Sequence, residues 1–172
     1  MNAQFPTEEL TFAYGQSWLG VVLVAAGEKG VTAILPGDDA ARLRRDLAQD
    51  FPAARLVEDE DGLRDAIAKV VAFLEAPGQG LDLPLDMRGT ELERAVWRAL
   101  AEIPAGDTTT YGQIAKALPI PATAQEVGAA CAANVLAVAI PCHRVVKADG
   151  GISGYRWGVH RKKRLINREA LA

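Results

Sequence analysis

Apolar positions in the first third of the chain fall into short blocks, Leu10 to Tyr14, Trp18 to Ala26 and Val31 to Leu35, the last two separated by Gly27-Glu28-Lys29-Gly30. Blocks of this length broken by turn residues predict three strands in a small antiparallel sheet. Pro36-Gly37-Asp38-Asp39 supplies a turn and a cap, after which Leu43 and Leu47 set a helical spacing as far as about Phe51. Between Gly62 and Glu75, Leu63, Ile67, Val70, Val71 and Leu74 keep the rhythm of one buried helical face. Ala76 to Gly80, with Pro77 and two glycines, and then Leu81 to Gly89 predict an extended connection between a half spanning 1–86 and a half spanning 87–172.

The second half carries helical signals. Thr90/Glu93, Thr110/Gln113 and Thr123/Glu126 each pair a hydroxyl with a Glu or Gln three places on, the mark of a capping box. The first opens a helix with Leu92, Val96, Ala99, Leu100 and Ile103 on one face, stopped by Pro104 and Gly106. A short helix from about Tyr111 to Leu118, the turn Pro119-Ile120-Pro121 and an Ala-rich helix from about Thr123 to Ala133 have the proportions of a helix-turn-helix. Two packed core helices joined by a proline turn would give the same spacing. An apolar run, Val135 to Ile140, predicts a buried strand leading into Pro141-Cys142-His143-Arg144-Val145-Val146.

With 172 residues, 49% of them hydrophobic and 24% charged, the chain suits one domain or two small packed ones. Disorder does not fit. No apolar run reaches the roughly 18 residues of a spanning helix, and the first ten residues lack a secretory pattern, so no membrane association and a cytoplasmic location are expected. Net charge is −3, but residues 1–86 hold 7 Lys/Arg against 15 Asp/Glu and residues 87–172 hold 12 against 7. That asymmetry turns only the second half toward an anionic partner.

Cys131 and Cys142 are too few for a disulfide scaffold and lack zinc-ligand spacing, so both are expected to be free thiols with no metal site. Cys131 falls inside the Ala-rich helix and reads as a small hydrophobe. Cys142 ends a buried segment beside His143, and a thiol becomes nucleophilic when a neighbouring base or cation favours its thiolate. Adjacent side chains of a strand point to opposite faces, so the pair needs a bend or a bridging water to communicate. A merely packed cysteine remains the competing reading.

Pro141-Cys142-His143-Arg144-Val145-Val146, preceded by Ala132-Ala133-Asn134 and followed by Ser153-Gly154-Tyr155-Arg156-Trp157-Gly158, resembles the O6-alkylguanine-DNA alkyltransferases, in particular the C-terminal half of the bacterial adaptive-response protein. The likeness extends to Leu35-Pro36-Gly37-Asp38-Asp39, to Leu83 through Thr90 and to Val96-Trp97. It implies an α/β (α+β) fold, with a small ribonuclease-H-like N-terminal domain bearing the antiparallel sheet and a helical C-terminal domain with the helix-turn-helix and the active-site cysteine. It also implies direct, irreversible transfer of an alkyl group from O6 of guanine, or O4 of thymine, in DNA to Cys142, without a cofactor and without an obligatory protein partner. The zinc-binding half of the adaptive-response protein has no counterpart here, so its activities are expected to be absent.

By the same resemblance His143 takes the thiol proton through a water, and Glu169 orients the imidazole, as a carboxylate does in a hydrolase triad. Tyr111 contacts a base flipped out of double-stranded DNA, and Asn134 joins the recognition helix to the active-site strand. The loop containing Gly154, Tyr155 and Arg156 covers the base. Thr123, Ala124, Gln125, Gly128, Ala129 and Ala130 lie on the helix that enters the minor groove. Gln125 stands where the family usually carries an arginine that fills the gap left by the base, and Ala122 stands where a lysine is common, which lowers the expected duplex affinity. Arg161-Lys162-Lys163-Arg164 and Arg168 are available for phosphates, although a solvated helix face explains them as well. A lesion-sensing module without transfer and a cysteine hydrolase are the alternatives. The first normally lacks the cysteine, and the second has to turn over.

Overall fold

The computed structural model describes residues 8–171. Three strands come first, β1 (Glu9–Ser17), β2 (Gly20–Gly27) and β3 (Gly30–Gly37), joined by two-residue loops at Trp18-Leu19 and Glu28-Lys29. The first turn therefore takes Trp18 and Leu19 out of the expected second strand. Gly30 has a φ of +131°, and a Cβ there would lie 2.4 Å from the Pro84 carbonyl oxygen, so the turn and the close passage of the interdomain connection both require glycine.

Helix α1 (Ala40–Asp50) starts where Asp39 accepts from the Ala41 amide, and it buries Leu43 and Leu47 on the sheet. A fourth strand, β4 (Arg55–Glu58), pairs in parallel with β1, giving the order β3-β2-β1-β4. Four residues of Arg-Leu-Val-Glu carry too little alternation to be read as a strand from sequence. Helix α2 (Arg64–Glu75) then buries Val70, Phe73 and Leu74.

In the second half, α3 (Glu91–Ala101), α4 (Tyr111–Ala117) and α5 (Ala124–Ala132) each begin with the expected reciprocal capping box. Helix α5 packs against α3, where the Trp97 indole donates to the Ala130 carbonyl at 2.9 Å. Strand β5 (Thr109–Thr110) pairs in parallel with β6 (Val145–Val146), which fixes the start of α4 beside the segment that follows Cys142. Helix α6 (Val159–Ala170) closes the chain. Among the described residues no helix is long and apolar enough to cross a membrane.

The expected strand at Val135 to Ile140 is a compact turn. Only isolated bridges form, Leu136 with Ile34 and Ala137 with Ile140, and Val138 has a φ of +68°. Leu136, Ala137, Val138 and Ile140 are buried because the turn is enclosed on every side, which produces an apolar run without a strand. The turn bonds to the outer edge of β3 through Ile34 N to Val135 O and Ala137 N to Ile34 O, while Pro84 and Asp86 bond to the same edge at Val31. An edge that would otherwise offer unpaired amides is thus covered, and the C-terminal half is seated on the sheet. One continuous apolar core runs from Phe12 and Leu23 through Leu136 to Val96 and Leu165.

Candidate active site

The turn at residues 135–140 delivers Pro141 and a single turn of 3-10 helix, Cys142–Arg144. This bend resolves the problem posed by adjacent residues on a strand, since Cys142 and His143 are presented from a helical turn, both buried. Asn134, just past α5, accepts the Leu136 amide at Oδ1 (2.8 Å) and donates from Nδ2 to the Ile140 carbonyl (2.9 Å) and to Cys142 Sγ (3.4 Å). Far from being a simple helix cap, it holds both ends of the turn and touches the sulfur.

Behind the thiol, His143 Nε2 lies 2.6 Å from Glu169 Oε1. Arg144 Nε donates to both Glu169 oxygens at 3.1 Å, its Nη2 donates to Oε2, and its Nη1 donates to the Ile103 carbonyl. Burial works to raise the Glu169 carboxyl, but the hydrogen bonds from His143 and Arg144 outweigh it and bring the group down to about 2. Burial lowers His143 against the pull of Glu169, so the imidazole is neutral near pH 7. A carboxylate only accepts, so Nε2 carries the proton and Nδ1 is the bare, basic nitrogen. Nδ1 is buried and has no protein hydrogen-bond partner among the described residues.

Burial pushes the Cys142 thiol up, while the Asn134 hydrogen bond and then the Lys162 charge favour its thiolate. The sulfur faces a pocket of about 320 Å³ lined by Tyr111, Gly128, Cys131, Cys142, Tyr155 and Arg156, with Gly154 at its rim. That volume is at the small end of ligand sites. Cys131 is buried as expected yet also walls this pocket, and burial pushes its thiol up to about 12. The Tyr155 ring packs edge-on against Trp157 at 5.2 Å, and Arg156 reaches back to Asp50 of α1.

The structure thus brings together Cys142, His143, Glu169, Asn134, Tyr111, Gly154, Tyr155, Arg156 and Gly128. Thr123, Ala124, Gln125 and Ala129 do not line the pocket; they lie exposed on α5, with Ala130 buried beneath them. Thr123 and Glu126 spend their side chains on the capping box.

Most of the C-terminal basic cluster is engaged within the chain, with Lys163 and Arg168 exposed. Arg161 bonds to the Leu19 carbonyl and Asp38, Arg164 to the Trp18 carbonyl and Arg168 to Glu75, so these three tie α6 to the first half of the chain. Lys162 is wholly buried, and only Lys163 of the run is exposed. Sequence reasoning therefore assigned Lys162 to phosphates, named Arg144 and Ser153 only as parts of motifs and missed Asp50. For Lys162 a signal existed: it stands three residues before Leu165 and seven before Glu169, on the face that α6 buries.

The profile of the family described as "6-O-methylguanine DNA methyltransferase, DNA binding domain" matches residues 91–171. The chain is 48% identical over 159 residues to the bifunctional transcriptional activator/DNA repair enzyme Ada of Escherichia coli, covering 92% of this chain and 45% of that protein, so it spans less than half of that relative's length. It is 34% identical over 165 residues to the inducible methylated-DNA–protein-cysteine methyltransferase of Bacillus subtilis, covering 96% of this chain and 87% of that protein. Its fold is similar to that of Mycobacterium tuberculosis OGT in a crystal structure with DNA, with a TM-score of 0.74 and 29% identity over 95% of this chain and 93% of that one. With a thiol, a neutral imidazole and a low carboxylate arranged as above, and with a relative at 34% identity covered over 87% of its length, the chain belongs to the methylated-DNA–protein-cysteine methyltransferase family.

Proposed function

We propose that this protein repairs DNA by moving an alkyl group from O6 of guanine, or O4 of thymine, to Cys142 in one irreversible step. The observation that carries the reading is the buried series Cys142, His143 and Glu169 at the back of a pocket small enough for one base. A thiolate is the reactive form. His143 Nδ1 takes the thiol proton through a water, and Glu169, held by Arg144, fixes the tautomer that leaves Nδ1 free and stabilises the imidazolium once formed. Asn134 steadies the sulfur. The sulfur–carbon bond forms as the carbon–oxygen bond breaks, and the thioether is inert, so each molecule acts once. No cofactor is needed.

A base within a duplex cannot reach a sulfur this deep, so the nucleotide leaves the stack. Residues 87–172 form the DNA-binding alkyltransferase unit and residues 1–86 a support. Helix α5 lies in the minor groove, its exposed Thr123, Ala124, Gln125 and Ala129 against the backbone and Gly128 against the pocket mouth. Tyr111, Gly154, Tyr155 and Arg156 surround the flipped base. The partner is double-stranded DNA, with no obligatory protein partner, in the cytoplasm, where both thiols stay reduced.

Intact mass measurement after incubation with an O6-methylguanine oligonucleotide tests the reading. One methyl per chain, mapped to Cys142 and absent from Cys142→Ser, is the expected result. Binding without any gain of mass identifies a lesion sensor, and multiple turnovers identify a hydrolase; either result overturns the proposal.

A further inference from the structure

Among the described residues, the wall of the thiol pocket holds Arg156 as its one ionic side chain and no carboxylate. The Arg156 guanidinium lies 5.5 Å from the centre of the Trp157 ring, and its Nη2 donates to Asp50, which is not part of that wall. Both partners are largely shielded, so the head group is held in place with its cation toward the pocket. Only Nη2 is spent on Asp50 among the described residues, which leaves Nε and Nη1 as donors. The charges that bear on the Cys142 sulfur are those of Lys162 and Arg156, and both favour the thiolate. Gly128, Ala132 and Gly154 are the small residues of the wall, and they leave room beside the sulfur for a short substituent.

We propose that Arg156 fits this site to alkyl groups that end in an anion, with O6-carboxymethylguanine as the simplest substrate of the class. The inference rests on the alkyl-transfer reading and names a substrate class for the same site. A carboxymethyl group is a poor target for an ordinary thiolate, because two negative charges converge as the carbon is attacked. A guanidinium beside the sulfur removes that repulsion, since its planar donors pair with a carboxylate in two places. The bonds exchanged are those of methyl transfer: sulfur–carbon forms, and the carbon–oxygen bond to guanine breaks with its electron pair passing to the purine. The thiol proton, held first by His143, is balanced by the one the purine takes up. The carboxylate stays on the transferred carbon, paired with Arg156.

Iodoacetate and iodoacetamide are alike in size and differ in charge, so the ratio of their rates at Cys142, followed by peptide mass, reads the field at the sulfur without DNA. Relative to glutathione, that ratio shifts toward iodoacetate by ~5-fold or more, as one nearby unit charge requires. Arg156→Gln lowers the ratio by ~5-fold, whereas Arg156→Lys, which keeps the charge, stays within about twofold of the unaltered protein. A loosened loop or a weaker thiolate slows both reagents alike and leaves the ratio unchanged. With oligonucleotides, the unaltered protein takes the carboxymethyl group from O6-carboxymethylguanine, and Arg156→Gln loses ~5-fold more of that rate than of methyl transfer. An unchanged reagent ratio in Arg156→Gln, or equal losses on the two oligonucleotides, overturns the proposal. Failure of the underlying reading looks different: the unaltered protein then takes no methyl from O6-methylguanine, while the reagent ratio still responds to Arg156.

Discussion

Asn134 Nδ2 lies 3.4 Å from Cys142 Sγ while its Oδ1 accepts the Leu136 amide, so a single fully buried amide both shapes the turn before the thiol and touches the thiol itself. The donor Asn134 brings to the sulfur and the donors and acceptors it satisfies in the backbone are separable by substitution.

Asn134→Ala leaves the Leu136 amide buried without its partner, at about 1–3 kcal/mol, while the Ile140 carbonyl keeps the Cys142 amide. A loss of about 2 kcal/mol in urea unfolding is expected, read from the midpoint at unchanged slope. Asn134→Asp keeps the acceptor for Leu136 but sets a carboxylate against the sulfur. Alkylation of Cys142 by iodoacetamide should slow in that variant more than its loss of stability explains.

Glu169 ties stability to acid. Its folded value, about 2, lies below the ordinary 4.5, so the stability it contributes is fully present above about pH 4.5 and is lost as pH falls toward 2. The shift corresponds to about 3 kcal/mol. Folded His143 also takes up a proton less readily than the unfolded chain, so stability starts to fall below about pH 6.5. Urea midpoints from pH 7 to pH 3 should drop steeply for the unaltered protein and much less for Glu169→Gln, which starts lower. The same variant should transfer methyl at least ~10-fold more slowly.

Burying the Lys162 ammonium without a carboxylate costs stability near neutral pH. Lys162→Met should therefore melt no lower than the unaltered protein at pH 7. Because the folded lysine loses its proton before the unfolded one does, the unaltered protein should gain on the variant as pH rises through the lowered Lys162 value. Calorimetry at neutral and alkaline pH checks both statements.

Asp50 and Arg156 join α1 to the loop at residues 153–158 by a half-buried ion pair. Pairs of this exposure contribute less than about 1 kcal/mol, so Asp50→Ala should barely change the urea midpoint. Amide hydrogen exchange in residues 153–158 should quicken all the same, because that pair is the link between the loop and α1.

Gln125 is exposed near the start of α5 and brings no charge to a phosphate. Gln125→Arg should tighten duplex binding and steepen its salt dependence by about 0.9 in log–log slope. Repair of duplex substrate should speed up more than reaction with free benzylated guanine. Equal effects on both would count against a role for α5 on DNA.

The regular elements were legible because each has a local cause. The three Thr-headed capping boxes, the Asp39 cap and the Leu43/Leu47 spacing each act within a few residues, and all recur in the structure. Strand β4 was not legible, since its four residues are held by pairing with β1 rather than by their own pattern. The run at residues 135–140 misled for the opposite reason. Apolarity reports burial, and a turn enclosed by β3 and Asn134 is as buried as a strand.

Cys142, His143, Asn134 and Glu169 were accessible as residue types in a recurrent arrangement of the chain, but their chemistry depends on distances no spacing encodes. By itself the sequence determined the helices, the first three strands, the absence of a disulfide scaffold and the one thiol set beside a histidine, because propensity, capping and composition are local properties. Only the tertiary structure decided that Arg144 would clamp Glu169, that Lys162 would face Ser153 instead of solvent and that Arg161, Arg164 and Arg168 would bond to the first half. A charged side chain is cheap to leave in water and costly to bury unless partners meet it, and whether those partners are there depends on what distant parts of the chain bring against it.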